Sequence, residues 1–171
     1  MIRVESDSGG EWDSRTDWPA LADRAARAAI AHSRHAALEA SPLTVELSVK
    51  FAGDAEVQAL NSAYRKRDKP TNVLSFPMLE SGLLSALATA DEGEVLIGDV
   101  VLAHGLCSAE AAERGIAEQD HASHLVVHGV LHLLGYDHEQ GEEDADMMER
   151  AEREALASIG IRDPYQAEVQ S

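Results

Sequence analysis

Hydrophobic and polar positions alternate most cleanly over Thr44–Phe51. Val45, Leu47, Val49 and Phe51 share one side, and Glu46, Ser48 and Lys50 share the other. A period of two marks a half-buried strand. Val73–Phe76, stopped by Pro77, reads as a short strand, and Glu94–Leu102 as another, interrupted at Gly98-Asp99. Ile2–Val4 is a short first strand, followed by a polar loop over 5–16. Helical spacing governs most of the remainder. Trp18, Leu21, Ala25, Ala28, Ala29 and His32 define a helix over 18–40, with Asp17 as N-cap, Pro19 in the first turn and Ser41-Pro42 as its end. Val57, Leu60 and Tyr64 form the apolar side of a helix opened by Gly53-Asp54. Further helices are predicted over about 104–114, over Ala117–Leu134 before Gly135, and over Glu142–Ile159 before Gly160. Residues 65–71 and 78–93 read as loops, the second with room for one helical turn. About four strands and about five helices, not strictly alternating, predict an α+β fold around a small mixed sheet.

Composition narrows the class. The 171 residues are 44% hydrophobic, enough to bury a core, and no linker divides them, so 1–171 is expected to be a single domain. Fourteen basic and 31 acidic residues give a net charge of −17, which argues against non-specific nucleic-acid binding but leaves room for a local basic patch. Cys107 is the one cysteine, which excludes an internal disulfide and suits a reducing cytoplasm. No apolar leader is visible at the start. The longest stretch without Asp, Glu, Lys or Arg, 121–136, contains four histidines and is too short and polar to cross a membrane.

Candidate chemistry is concentrated in His128-Gly129-Val130-Leu131-His132-Leu133-Leu134-Gly135-Tyr136-Asp137-His138. His128 and His132, four apart on a helix, lie one above the other. A helix stop at Gly135 can turn the chain so that His138 reaches the same ion. Three imidazoles with an open fourth position describe a catalytic zinc site, one ion per chain. The spacing also matches the metzincin peptidase pattern, except that Gly129 stands where those enzymes carry their general-base Glu. Peptide hydrolysis by that mechanism is therefore disfavoured. His121 and His124 extend the helix face and are expected to have no metal contact; His32, His35 and His104 receive no role.

The histidine block resembles the signature of the YbeY family of bacterial rRNA maturation factors. Two further blocks agree: Leu60-Asn61, Tyr64-Arg65, Asp68 and Pro70-Thr71-Asn72-Val73-Leu74-Ser75-Phe76-Pro77, then Ile97-Gly98-Asp99-Val100-Val101. The resemblance spans about residues 60–138. It implies a zincin-like fold, zinc held by His128, His132 and His138, and a metal-dependent, single-strand-specific endoribonuclease. It also implies action in small-subunit rRNA 3′-end maturation and ribosome quality control, on single-stranded rRNA, with the ribosome or a ribosomal protein as partner and neither DNA nor membrane. The family's functionally important arginine maps onto Arg65, so Arg65 and His128 are the candidate catalytic residues. Asn72 departs from the Asp usual after Pro-Thr and keeps the shape without the charge.

Arg65, Lys66, Arg67 and Lys69 fall within five residues, the local cation cluster that a phosphodiester needs in an acidic chain. Asp137 is placed to orient an imidazole or to serve as a turn residue, and Asp99 has no assigned place. The acidic run Glu142, Glu143, Asp144, Asp146, Glu149, Glu152 and Glu154 reads as a solvated helix face, or as a docking surface for a basic protein, with Met147 and Met148 as core contacts. Two alternatives stand beside the nuclease: an assembly factor whose metal is only structural, and a metzincin-like peptidase.

Overall fold

The computed structural model describes residues 1–87, 90–137 and 141–165. Four strands form one mixed sheet in the order β1-β2-β4-β3. Strands β1 (Ile2–Ser8), β2 (Thr44–Ala52) and β4 (Glu94–Ala103) run parallel, and β3 (Val73–Pro77) lies antiparallel to β4 at one edge. Parallel neighbours need crossovers. Helix α1 (Trp18–Ala31) makes the first, while α2 (Asp54–Arg65), β3 and α3 (Ser81–Leu87) fill the second. Helices α4 (His104–Arg114), α5 (Glu118–Leu133) and α6 (Glu142–Ser158) follow. The predicted α+β class and mixed sheet are present, with six α-helices among the described residues.

Three departures from the sequence pattern have local causes. Strand β1 extends to Ser8 because its pairing with β2 continues from Ile2 opposite Val45 to Ser8 opposite Phe51. Backbone pairing needs no apolar side chain, so the polar residues from Glu5 onward join the edge. Helix α1 stops at Ala31 rather than at 40. Ser33 Oγ donates to Ile30 O (2.7 Å) and accepts from the His35 amide (3.0 Å), while the Arg34 amide donates to the Tyr136 hydroxyl (2.9 Å). These bonds take over groups that a continuing helix would use, and only a short 3-10 turn, Ala36–Glu39, follows. Helix α3 stands within the stretch read as a loop, ordered by the complete burial of Leu84.

The larger core lies on the face of Val45, Leu47, Val49 and Phe51, under α1, α5 and α6. Trp12 and Trp18 pack edge-on at 4.8 Å against this layer, and the Trp12 indole N–H donates to Ala52 O. The opposite face is covered only in part, by α2 and α4, over Ala52, Val57, Leu74, Val101 and Ala103. Where the sequence suggested an interruption, β4 carries a bulge. Glu46 pairs with Leu96 and Leu47 with Gly98, which leaves Ile97 as the extra residue.

Gly98 has φ +150°, and a Cβ there would lie 2.5 Å from Phe76 O and 2.6 Å from Leu133 Cδ2. Gly98→Ala therefore combines backbone strain with overpacking and is expected to cost about 2–4 kcal/mol. Thermal unfolding should show a fall in Tm of roughly 5–12 °C; an unchanged Tm would mean that the bulge relaxes freely.

Candidate metal centre and nucleic-acid cleft

Helix α5 is buried along most of its surface, and one stripe carries His121, His124, His128 and His132 in successive ring contact. The Nε2 atoms of His128 and His132 face each other at 3.1 Å. Two zinc–nitrogen bonds of tetrahedral geometry put their nitrogens about 3.3 Å apart, so the pair fits a common cation. His128 Nδ1 lies 2.6 Å from Glu152 Oε1, a carboxylate on α6 that is 1% exposed. Once Nδ1–H donates there, a neutral His128 presents Nε2 as a lone pair. Glu152 also accepts from His124 Nε2 (2.9 Å) and from the Tyr165 hydroxyl (2.6 Å). Burial opposes its ionisation, but the hydrogen bonds from His124 and His128 prevail and hold the carboxyl well below its ordinary range.

Gly135, at φ +95°, turns the chain after α5, and Tyr136 is buried just beyond it. His138 lies outside the described residues. Among the described residues no group of three or more His, Cys, Asp or Glu side chains surrounds one metal position. Cys107 is fully buried in the core, does not line the cleft that holds His128 and His132, and has its thiol pushed up to about 12 by burial.

The histidine pair opens onto a cleft of about 700 Å³ lined by Arg65, Arg67, Lys69, Asn72, Ser75, His128, His132 and Asp137, among others. Arg65 ends α2, and Lys66 caps that helix in the left-handed conformation at φ 56°. The buried Asn61 shapes the loop that follows. Its carbonyl accepts from the Lys66 and Arg67 amides, and its Nδ2 donates to Lys69 O at 3.0 Å. Three of the four clustered cations thus face the same opening as the imidazoles; Lys66 does not line it.

The sequence profile of endoribonuclease YbeY matches residues 13–160. Endoribonuclease YbeY of Rhizorhabdus wittichii is 50% identical over 165 residues, covering 96% of this chain and 97% of that protein. The Novosphingobium aromaticivorans protein of the same name is 51% identical, covering 96% of each chain. The solution structure of TM1509 from Thermotoga maritima shares the fold with a TM-score of 0.53 at 20% identity, covering 93% of this chain and 91% of that one. The chain belongs to the endoribonuclease YbeY family.

Within the YbeY frame, Gly129 explains why the metzincin base is missing. A Cβ at Gly129 would lie 2.6 Å from Val100 Cγ1 and 3.2 Å from Ser75 Oγ, and Ser75 Oγ donates to Gly129 O. The sheet occupies the space a glutamate would need. Asp99, one residue before Val100, turns to the other face of the sheet and accepts from Ser48 Oγ. Asp137 lines the cleft, and a carboxylate on His128 comes from Glu152, which the sequence groups with the solvated acids of the last helix. Met148 is core and Met147 is 42% exposed. The signal for Glu152 was available: Met148, Ala151, Ala155 and Leu156 form the buried stripe of α6, and Glu152 falls on it. His121 pairs with Glu110 at 2.8 Å rather than lining the cleft.

Asn72 donates through Nδ2 to both oxygens of Glu110, at 3.0 and 3.3 Å. Although partial burial raises the Glu110 pKa, the bonds from Asn72 and His121 outweigh it and set the pKa below its ordinary value. Asn72→Asp would face one carboxylate with another. The expected loss at neutral pH is about 1–2 kcal/mol, discounted for the partial exposure of the pair. In the wild type a lowered folded-state pKa gives stability that is fully present above the unfolded value and lost only in acid. In the variant the pair's folded-state pKa is raised, so its stability falls as pH rises from about 4.5 toward 7. Denaturant melts across that range should show the gap between the two proteins widening with pH; a constant gap would rule out charge repulsion.

Proposed function

We propose that this YbeY-family chain is a zinc-dependent, single-strand-specific endoribonuclease of the small-subunit rRNA 3′ end, with residues 1–171 as one domain. Its place in ribosome quality control, its ribosomal partner and its cytoplasmic location follow from the same family reading. The observation that carries the proposal is the presence of the His128–His132 pair and Arg65 in one cleft of an otherwise acidic molecule. None of the described helices is long and apolar enough to cross a membrane.

His128 and His132 would hold the ion, with His138 as third ligand on the strength of the motif. When bound, zinc supplies Lewis acidity toward a phosphoryl oxygen. The remaining roles belong to the chain. Arg65 offers a planar fork of donors to non-bridging phosphate oxygens and stabilises the charge that grows there during cleavage. Arg67 and Lys69 draw the RNA backbone into the cleft. Asn61 keeps the basic loop in place by binding its backbone on both sides.

Elemental analysis of carefully purified protein is expected to give about one zinc per chain, and His128→Ala, His132→Ala and His138→Ala each to lower metal content and abolish cleavage. Metal-free protein with full activity on single-stranded rRNA would end this reading.

Arg65→Ala should leave fold and metal content intact and slow RNA cleavage about a hundredfold, as loss of one charge-assisted donor worth roughly 3 kcal/mol. Lys66→Ala, Arg67→Ala and Lys69→Ala should cost far less, and their effects should fade as salt rises. Cleavage assays on the four variants at low and moderate salt decide the matter. Four equal, salt-erasable losses would reduce Arg65 to steering.

A further inference from the structure

Glu152 has no part in the reaction just described, yet it is the most constrained charged side chain among the described residues. It sits at 1% exposure and receives three hydrogen bonds from two separate parts of the chain. His124 and His128 come from α5, and Tyr165 comes from the segment beyond α6. That segment is itself tied down: the Tyr165 amide donates to Asp163 Oδ1 at 2.8 Å, and the Asp163 carboxylate lies 3.9 Å from Arg153 Nε on α6. The Tyr165 ring also packs edge-on against His124 at 6.0 Å.

A buried carboxylate is costly unless donors answer it. Simple core packing would be served better by an apolar residue on this stripe of α6, so the charge needs a reason to be there. Its two oxygens are divided unequally. Oε2 accepts from His124 and Tyr165, and Oε1 is left to His128 Nδ1 alone at 2.6 Å. Of the two imidazoles that Glu152 holds, His128 is the one whose other nitrogen faces a second histidine, His132, at 3.1 Å. A carboxylate on the remote N–H of an imidazole fixes the tautomer, aligns the ring and makes the opposite nitrogen a better donor to a cation.

We propose that Glu152 is a positioning residue that holds His128 in the Nδ1–H tautomer with Nε2 directed at a divalent cation, and that Tyr165 and His124 hold Glu152 in turn. The cation rests on the metal-dependent reading above; the tautomer does not. Tyr165 thereby makes the segment after α6 part of the site, although it is far in sequence from any ligand.

The test uses the full chain, stripped of metal, as wild type, Glu152→Gln and Tyr165→Phe. Zinc affinity is measured by competition with a chromophoric chelator. The His128 tautomer is read from imidazole nitrogen shifts in the metal-free protein at fixed pH, and folding is checked by thermal melts. Glu152→Gln is expected to weaken zinc binding about 10- to 100-fold and to mix the His128 tautomers. Tyr165→Phe, which keeps the carboxylate and removes one of its donors, is expected to lower affinity by a smaller factor with its melt near that of the wild type. Wild-type affinity and a wild-type tautomer in folded Glu152→Gln overturn the proposal. If Glu152→Gln does not melt cooperatively, Tyr165→Phe decides: unchanged affinity overturns the proposal and a loss supports it. Should the wild type bind no zinc, the metal-dependent reading fails by itself, and an Nε2–H tautomer at His128 in that protein would overturn the role of Glu152 separately.

Discussion

A carboxylate with almost no access to water must be matched by donors from its surroundings, and Glu152 imposes that requirement on this molecule. The helix that carries it has to lie where two histidines of α5 and a tyrosine of the following segment converge. Apolar contacts alone would leave α5 and α6 free to slide by a fraction of a turn, because Leu, Ala and Met fill space without direction. Hydrogen bonds to one buried carboxylate do not allow that. One group thus adds direction to the packing of α6 against α5 and to the orientation of His128.

The second organising feature is the separation of charge. The chain carries a large negative excess, yet Arg65 at the end of α2 and Arg67 and Lys69 on the loop after it stand together, the loop's backbone bound by Asn61. Held in this way, they make a local field of opposite sign beside the imidazole pair. The acidic excess of the whole chain repels polyanions, and the cations of the cleft oppose that repulsion locally.

Much of this was legible in the sequence, for definite reasons. Strand β2 is half-buried, and its period of two shows directly; the imidazole pair sits at helical spacing within an uncharged run. What escaped reading depended on contacts remote in sequence. Strand β1 runs on through polar residues because a partner strand is present, and α1 ends early because Ser33 and Tyr136 supply other hydrogen bonds. Glu152 was hidden by its company, one buried acid in a helix whose six other acids are exposed or half-buried. Only its place on the Met148–Leu156 stripe set it apart, and a stripe containing a charge is easily taken for a broken one. The partner of Asn72 was equally remote, since Glu110 lies on α4.

Gly129 has a bearing on descent. A nuclease of this kind and a metzincin peptidase differ, in their histidine motifs, by one residue beside the first ligand, a distance that point mutation crosses easily. Here the crossing is closed by volume. Val100 and Ser75 stand where the new side chain would go, and their side chains would have to move before a glutamate could be tolerated. Ser75 also lines the cleft, so that movement would reach its wall. The two motifs are therefore one residue apart in sequence, while the packing of Val100 and Ser75 around position 129 keeps them apart in this fold.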